Sequence, residues 1–184
     1  MKSQIRSTLI LVVGSLLLCC GVYPFVLWAF AQLIVPHSAN GSLVTQADGK
    51  VMGSSLIAQE FKGDQYFHSR PSAASFNASA SSGSNLSANN PKLRERVEEQ
   101  LKTESKTETA VPADTVTTSG SGLDPHITVR NALVQAERIA AARKRPLKEI
   151  EELIERMSES PLGGLAGEPI VNVLLINRRL DVKK

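Results

Sequence analysis

Apolar residues are concentrated near the start of this 184-residue chain. No charged side chain occurs between Arg6 and Asp48, and the stretch from Ser7 to Val35 consists mainly of Leu, Ile, Val and Phe. As a helix it would extend roughly 40 Å at about 1.5 Å per residue, enough to cross a hydrocarbon core of about 30 Å. The pattern therefore predicts one transmembrane helix over residues 7–35.

Three residues add detail to this predicted anchor. Tyr23 and Pro24 interrupt the apolar run. A proline inside a helix removes a backbone donor, so we predict a kink there. Trp28 lies toward the far end, where an interfacial aromatic side chain is favoured.

The positive charges predict the orientation of the helix. Lys2 and Arg6 precede it, whereas the next Lys or Arg along the chain is Lys50. By the positive-inside rule, residues 1–6 would lie in the cytoplasm and residues 36–184 would form an extracytoplasmic domain.

A cleaved signal peptide is the alternative to a retained anchor. Ala29-Phe30-Ala31 has the small-residue spacing of a cleavage site. The apolar run, however, is about twice as long as a signal-peptide core of roughly 7–15 residues. We therefore expect the anchor to be retained.

The remaining residues predict a small α+β domain. Two short strands, Leu43-Val44 and residues 51–57, flank a turn at Asp48-Gly49, and residues 72–90 are predicted to form a long loop. Asn90-Pro91 is a typical helix start. Three segments carry apolar residues at helical spacing: Leu93, Val97 and Leu101; Val129, Ala132, Leu133, Ala136, Ile139 and Ala140; Leu147, Ile150, Leu153, Ile154 and Met157. Two further strands are predicted at residues 115–118 and 170–176, and a polar surface linker at residues 103–109.

Composition and charge exclude several classes of function. The net charge of +3 is small and dispersed, which does not favour nucleic-acid binding. Cys19 and Cys20 are the only cysteines and lie inside the apolar run, so the domain has no disulfide and no thiol nucleophile.

Motifs for catalysis, nucleotides and metals are also missing. The glycines do not form a known phosphate-binding loop, and His37, His68 and His126 lack metal-ligand spacing. Ser121, Asp124 and His126 have the residue types of a catalytic triad, but members of a triad usually come from separate elements. We predict no catalytic residue and no metal ligand.

Three loops are dense in glycine, proline, polar and aromatic residues. Such loops are explained by turn chemistry alone, or they form a polar, aromatic-edged docking surface for partner proteins, and the pattern leaves both interpretations open. The candidate interface residues are Tyr66, Phe67, Arg70, Pro71, Ser72, Gly83, Ser84, Asn85, Ser119, Gly120, Ser121, Gly122, Leu123, Asp124, Pro125 and His126, together with Asn172 in the last predicted strand.

These segments resemble a known family, KdpC, whose members belong to the Kdp complex, the ATP-driven high-affinity potassium importer of bacteria and archaea. The matching segments, in order, are Tyr66-Phe67 with Arg70-Pro71-Ser72-Ala73, Ser82–Leu86 before Asn90-Pro91, Thr117–Ile127, and Gly167-Glu168-Pro169 before Val171–Leu174, Asn177 and Leu180-Asp181. The resemblance covers nearly the whole chain. Ala58, Ser82 and the basic pair Arg178-Arg179 depart from the usual family pattern.

The resemblance implies a non-catalytic accessory subunit in the inner membrane of a bacterial cell. Its expected partners are a potassium-binding pore subunit, a P-type ATPase subunit and a small fourth subunit. The complex would use ATP, Mg and K+, with no cofactor bound directly by this chain. The family is described as a catalytic chaperone that raises the ATP affinity of the ATPase subunit, an effect that the predicted topology makes indirect.

Two other classes of function are carried as alternatives. One is a stand-alone, membrane-anchored extracytoplasmic binding protein. The other, less favoured, is a secreted hydrolase with Ser121 as its nucleophile.

Overall fold

A computed structural model of the chain describes residues 2–46, 49–104, 111–165 and 167–182. The chain divides into two compact units between Leu43 and Val44. The first unit is helical and the second combines helices with short antiparallel strands. The predicted α+β fold with one apolar N-terminal helix is confirmed.

The N-terminal unit is a long helix built from three successive segments. Helix α1 (Lys2–Leu16) continues into a π-helical segment (Leu17–Val22) and then into α2 (Tyr23–Ile34), and a short helix α3 (Pro36–Ala39) follows. Residues 2–34 form one helix of 33 residues that is long and apolar enough to cross a membrane, and none of its most apolar stretch is buried within the chain.

The helix changes type beside Tyr23-Pro24, where a kink is predicted from the sequence. The Tyr23 N–H donates to the Leu18 carbonyl, five residues earlier, and both Val22 and Tyr23 keep right-handed helical dihedral angles. A proline ring clashes with the carbonyl four residues earlier in a regular α-helix. The wider π-helical turn lies directly before Pro24, and the helix does not end there.

Five strands, five helices and a 3-10 turn follow α3 among the described residues, and all but Leu43, the first residue of β1, belong to the second unit. They are β1 (Leu43–Thr45), β2 (Val51–Ser54), α4 (Pro91–Glu104), α5 (Ala113–Val116), β3 (His126–Thr128), α6 (Val129–Arg143), α7 (Leu147–Met157), β4 (Ser158–Glu159), the 3-10 turn Pro161–Gly164, β5 (Ile170–Asn172) and α8 (Val173–Asp181). Strands β1 and β2 pair with each other, and the other sheet has the order β3-β5-β4 with antiparallel neighbours.

One hydrophobic core lies between the three-stranded sheet and helices α6, α7 and α8. Its buried residues are Phe67, Ile127, Ala132, Ala136, Ile139, Ala140, Ile150, Leu153, Ile154, Val171, Val173, Ile176 and Leu180. Most of them come from the apolar stripes of α6 and α7, so the helical periodicity predicted this part of the core correctly. Phe67 is the member supplied by a loop.

The predicted start of α4 is confirmed, and so is the long loop predicted before it. Asn90 Oδ1 accepts a hydrogen bond from Lys92 N at 3.0 Å, which caps α4. No helix or strand occurs between Ser54 and Pro91, a stretch that the structure describes throughout. Asp48 and most of the linker predicted at residues 103–109 lie outside the described residues.

The strand predicted at residues 115–118 is wrong, because its first two residues end the short helix α5 and the next two lie in no strand. Thr117 Oγ1 and Thr117 N both donate to the Ala113 carbonyl, at 2.8 and 3.0 Å. The threonines that suggested a strand therefore close a helical turn instead. A hydroxyl that bonds to the carbonyl four residues earlier is a local alternative to strand pairing.

The strand predicted at residues 170–176 is correct only as far as Asn172. Asn172 Oδ1 accepts a hydrogen bond from Leu175 N at 3.1 Å and so caps α8. The buried residues that follow, Val173, Ile176 and Leu180, recur at helical spacing. The strand predicted at residues 51–57 likewise ends early, since Ser54 Oγ accepts from Leu56 N in a turn.

Removal of the Asn172 side chain should destabilise the fold. Asn172→Ala loses both the helix cap and the hydrogen bond from Asn172 Nδ2 to the Ser55 carbonyl at 2.8 Å, with an expected loss of about 1–3 kcal/mol in the free energy of unfolding. Asn172→Asp keeps the capping acceptor but cannot donate to Ser55, so its loss should be smaller. Urea unfolding of the detergent-solubilised chain, followed by circular dichroism, measures both. Equal losses would contradict the capping role.

Candidate functional site

The three loops predicted from sequence are brought together in the structure. Ser82 N donates to the Ser121 carbonyl at 2.9 Å, and Ser72 Oγ donates to the Gly122 carbonyl at 2.5 Å. We call this arrangement the loop cluster; its residues are 66–72, 82–86 and 119–126. Most of the predicted interface residues therefore lie in one region, and Asn172 lies beside it because its amide is 3.5 Å from His126 Nε2.

Glycine is required where these loops cross. Gly122 has φ of +70°, and a Cβ built there would lie 2.6 Å from the Ser82 carbonyl oxygen and 2.9 Å from Ala74 Cβ. Gly83 is also close to its neighbour, since its Cβ would lie 3.1 Å from the Gly120 carbonyl oxygen. The backbones can approach so closely at both positions because glycine has no side chain.

Arg70 and Asp124 form the charged part of the loop cluster. Arg70 Nη1 lies 3.5 Å from Asp124 Oδ2, and its guanidinium also donates to the carbonyl of Thr118 at 3.3 Å. Asp124 Oδ1 lies 3.3 Å from His126 Nδ1 and accepts from His126 N at 3.0 Å. The hydrogen bond from the His126 side chain, helped by the charge of Arg70, lowers the pKa of Asp124 below its ordinary value, although partial burial opposes this shift.

The hydroxyl of Ser121 and the imidazole of His126 have separate partners. Ser121 Oγ accepts from Leu123 N at 3.1 Å, whereas His126 contacts Asp124 and Asn172. Within the described part of the chain, no hydrogen bond joins Ser121 to His126. These contacts are those of local turns.

Of the two predicted aromatic residues, only Tyr66 reaches the surface. Phe67 is fully buried in the core, so it cannot form an edge of a docking surface in this conformation. Tyr66 is partly exposed, and its hydroxyl donates to Asp181 Oδ2 at 3.2 Å beneath the guanidinium of Arg143, which lies 5.1 Å from the ring centroid. Burial, followed by the charge of Asp181, raises the pKa of Tyr66, which keeps the phenol protonated as the donor.

Burial separates the other candidate residues into two groups. Ser119, Gly122, Pro125 and Asn172 are buried, as Phe67 is, so these residues are not open to a partner in this conformation. The candidates that are partly or fully exposed are Tyr66, Arg70, Pro71, Ser72, Gly83, Ser84, Asn85, Gly120, Ser121, Leu123, Asp124 and His126. For these the interface role stays a prediction.

Sequence reasoning missed the buried amide side chains that hold the first loop. Asn177 Oδ1 accepts from Phe67 N at 2.8 Å, and Asn177 Nδ2 donates to the Phe67 carbonyl at 2.9 Å. Gln135 makes the same pair of bonds with His68, at 2.7 and 3.1 Å. The sequence signal that could have revealed these two residues is that each is a polar residue within the apolar stripe of a helix.

Among the residues that the structure describes, no group of three or more His, Cys, Asp or Glu side chains is placed to hold a metal ion.

Comparison with known proteins identifies the family. The model of the KdpC family, described as "K+-transporting ATPase, c chain", matches residues 5–182. The chain belongs to the KdpC family. The resemblance seen in the loop motifs is therefore confirmed.

Curated KdpC-family relatives match this chain from end to end. The "Potassium-transporting ATPase KdpC subunit" of Caulobacter vibrioides (strain NA1000 / CB15N) is 46% identical over 188 residues, which cover 100% of this chain and 95% of the relative. The proteins of the same name from Pseudomonas savastanoi pv. phaseolicola and Rhodopseudomonas palustris are 45% and 42% identical, and each alignment covers 98% of this chain. The coverage places the anchor, the loop cluster and the core of this KdpC-family chain within the shared region.

Glycines 122 and 120 provide a matched pair for testing the loop crossing. Gly122→Ala forces a side chain into a left-handed backbone conformation and against Ser82, so we expect a loss of about 2 kcal/mol or more in the free energy of unfolding. Gly120→Ala should change it by less than about 0.5 kcal/mol, because a Cβ there meets nothing within 4 Å. Chemical denaturation of both variants measures the difference. Similar losses at the two positions would contradict a tight crossing at Gly122.

The lowered pKa of Asp124 predicts a pH-dependent contribution to stability. Because the folded-state pKa lies below the ordinary value of about 3.9, the ionised carboxylate stabilises the fold above that value, and this contribution is lost as the pH falls through the folded-state pKa. Asp124→Asn should cost about 0.5–1 kcal/mol near pH 7, since the pair is partly exposed, and the cost should vanish in strong acid. Unfolding curves from pH 7 to pH 2 test this, with the exposed Asp64→Asn as control. A cost that stays constant down to pH 2 would contradict the shift.

Proposed function

We propose that this chain is a non-catalytic accessory subunit of an ATP-driven, high-affinity potassium uptake complex in a bacterial inner membrane. The observation that carries the proposal is the family match over residues 5–182, together with relatives, aligned over nearly their whole length, that are named as KdpC subunits of a potassium-transporting ATPase. The proposed role of the chain is to assemble and stabilise the other subunits.

The partners follow from the composition of such a complex. We infer contacts with a potassium-binding pore subunit, an ATP-hydrolysing P-type subunit and a small fourth subunit. The apolar side chains of residues 2–34 support contacts inside the membrane, because these side chains are not buried within the chain itself. The exposed members of the loop cluster would supply contacts outside the membrane.

The orientation of the anchor makes any effect on ATP binding indirect. Lys2 and Arg6 lie in the first turns of the helix, before its apolar run, which supports a cytoplasmic N-terminus and an extracytoplasmic α+β domain. ATP and Mg are on the cytoplasmic side, where this chain offers about six residues by the positive-inside assignment. A catalytic-chaperone effect, which raises the ATP affinity of the ATPase subunit, would then pass through the partners as coupling between distant sites.

The composition of one cleft in the domain does not favour direct nucleotide binding. A cleft of about 210 Å³ is lined by amide-bearing residues that include Gln59, Gln100, Asn131 and Gln135. Its described lining includes no lysine or arginine, the side chains that usually recognise phosphate groups. Ser121 and His126, with separate hydrogen-bond partners, likewise do not favour a hydrolase.

Topology and assembly can be tested in one set of strains. Ala80→Cys lies in the exposed part of the long loop, and the native Cys19 and Cys20 lie in the apolar helix. A membrane-impermeant maleimide added to intact spheroplasts should label Ala80→Cys, whereas Ser3→Cys should react only after permeabilisation. The tagged wild-type chain, extracted in mild detergent, should co-elute with a pore subunit and an ATPase subunit.

Each alternative has a distinct outcome. Labelling of Ala80→Cys only from the cytosolic side would contradict the proposed orientation. Elution of the wild-type chain as a monomer would favour a stand-alone binding protein, and an intact mass that lacks residues 1–31 would show a cleaved signal peptide. Any hydrolase activity abolished by Ser121→Ala would contradict the non-catalytic role.

A further inference from the structure

A groove between α6 and α7 carries an apolar floor that the domain does not cover. Its volume is about 500 Å³, and the residues that line it include Val129, Leu133, Ile154 and Pro169. Leu133 belongs to the apolar stripe of α6, yet 43% of its surface is exposed. Part of the apolar stripe of α6 therefore lies outside the surface that packs against the core.

The rim of this groove is acidic. Glu151, Glu152 and Glu155 on α7 line it and are exposed, and Lys148 is the one basic residue in the described lining. The whole chain, in contrast, has a formal net charge of +3. The groove is thus a local acidic surface on a basic protein, with an apolar centre.

We propose that this groove docks a basic amphipathic segment of another subunit of the potassium-transporting complex. An apolar stripe on that segment would cover Leu133 and Val129, and Lys or Arg side chains beside the stripe would pair with Glu152 and its neighbours. Complementary charge favours such a segment over an acidic or neutral one, and it disfavours an anionic lipid surface. The inference rests on the proposed function, because it assigns one contact within the same complex.

The two kinds of contact would contribute differently. The apolar floor supplies affinity, because covering the exposed part of one leucine is worth roughly a tenfold change in the dissociation constant. The exposed rim charges mainly set the association rate, the choice of partner and the dependence on salt. Because the groove lies between two regular helices, α6 and α7, its shape is fixed.

Two matched pairs of substitutions test the groove in the full-length chain. Leu133→Gln removes the apolar contact, and Leu162→Gln changes another exposed leucine outside the groove. Glu152→Lys reverses a charge on the rim, and Glu137→Lys makes the same change at an exposed site outside the groove lining. All four positions are at the surface, so the variants should fold, and circular dichroism verifies this.

The readout is binding of each purified variant to the complex prepared without this subunit. We expect Leu133→Gln to weaken binding about tenfold, and Glu152→Lys to weaken it and reduce its dependence on salt, while the two control variants bind like wild type. A photo-crosslinker at Leu133 should form an adduct with a segment of a partner subunit that contains Lys or Arg next to apolar residues.

The outcomes separate this inference from the proposed function. If the wild-type chain does not bind the complex at all, the proposed function fails. If wild type binds and both groove variants bind equally well, only the groove assignment is overturned. Adducts with a second copy of this chain, with an uncharged or acidic segment, or with lipid would also overturn it.

Discussion

The arrangement of the second unit depends on hydrogen bonds between buried amide side chains and the backbone of Phe67 and His68. These residues lie in a stretch of 36 residues between Ser54 and Pro91 that contains no helix or strand. Buried backbone groups must find partners, and here Asn177 and Gln135 provide them in place of a neighbouring strand. Each amide donates and accepts at once, so it reproduces the pairing of an antiparallel strand.

Fixing this segment has consequences for the rest of the loop cluster. Phe67 becomes part of the core, while Arg70 and Ser72, a few residues later, reach the glycine-rich loop through Asp124 and Gly122. The loops are therefore a defined surface held on α6 and α8, rather than separate turns. Turn chemistry therefore builds the shape of the loop cluster, and the docking role of its exposed members stays a prediction.

The sequence predicted the elements whose signal is local and missed those that depend on distant partners. Ile139 and Ile150 belong to apolar stripes that define α6 and α7, and Asn90 marks the start of α4. Residues 173–176 form an uncharged apolar run, and such a run is compatible with a buried strand or with a buried helix. The sequence analysis predicted a strand because it did not identify Asn172 as the cap of a helix. The loop motifs revealed the family. The buried polar residues of the helices stood out only as polar positions within apolar stripes, and their partners could not be read from the sequence, since the backbone that Gln135 bonds lies 67 residues away.

The π-helical segment Leu17–Val22 affects how the anchor can pack against neighbouring helices. Within such a segment each residue turns through a smaller angle about the axis than in an α-helix, because five residues separate the bonded groups. The side chains of α2 therefore point in different directions around the helix axis from those that they would have if α1 continued as a regular α-helix. A neighbouring helix that follows one straight seam along α1 meets a different set of side chains on α2, so the two halves of the anchor can present separate faces to two neighbours.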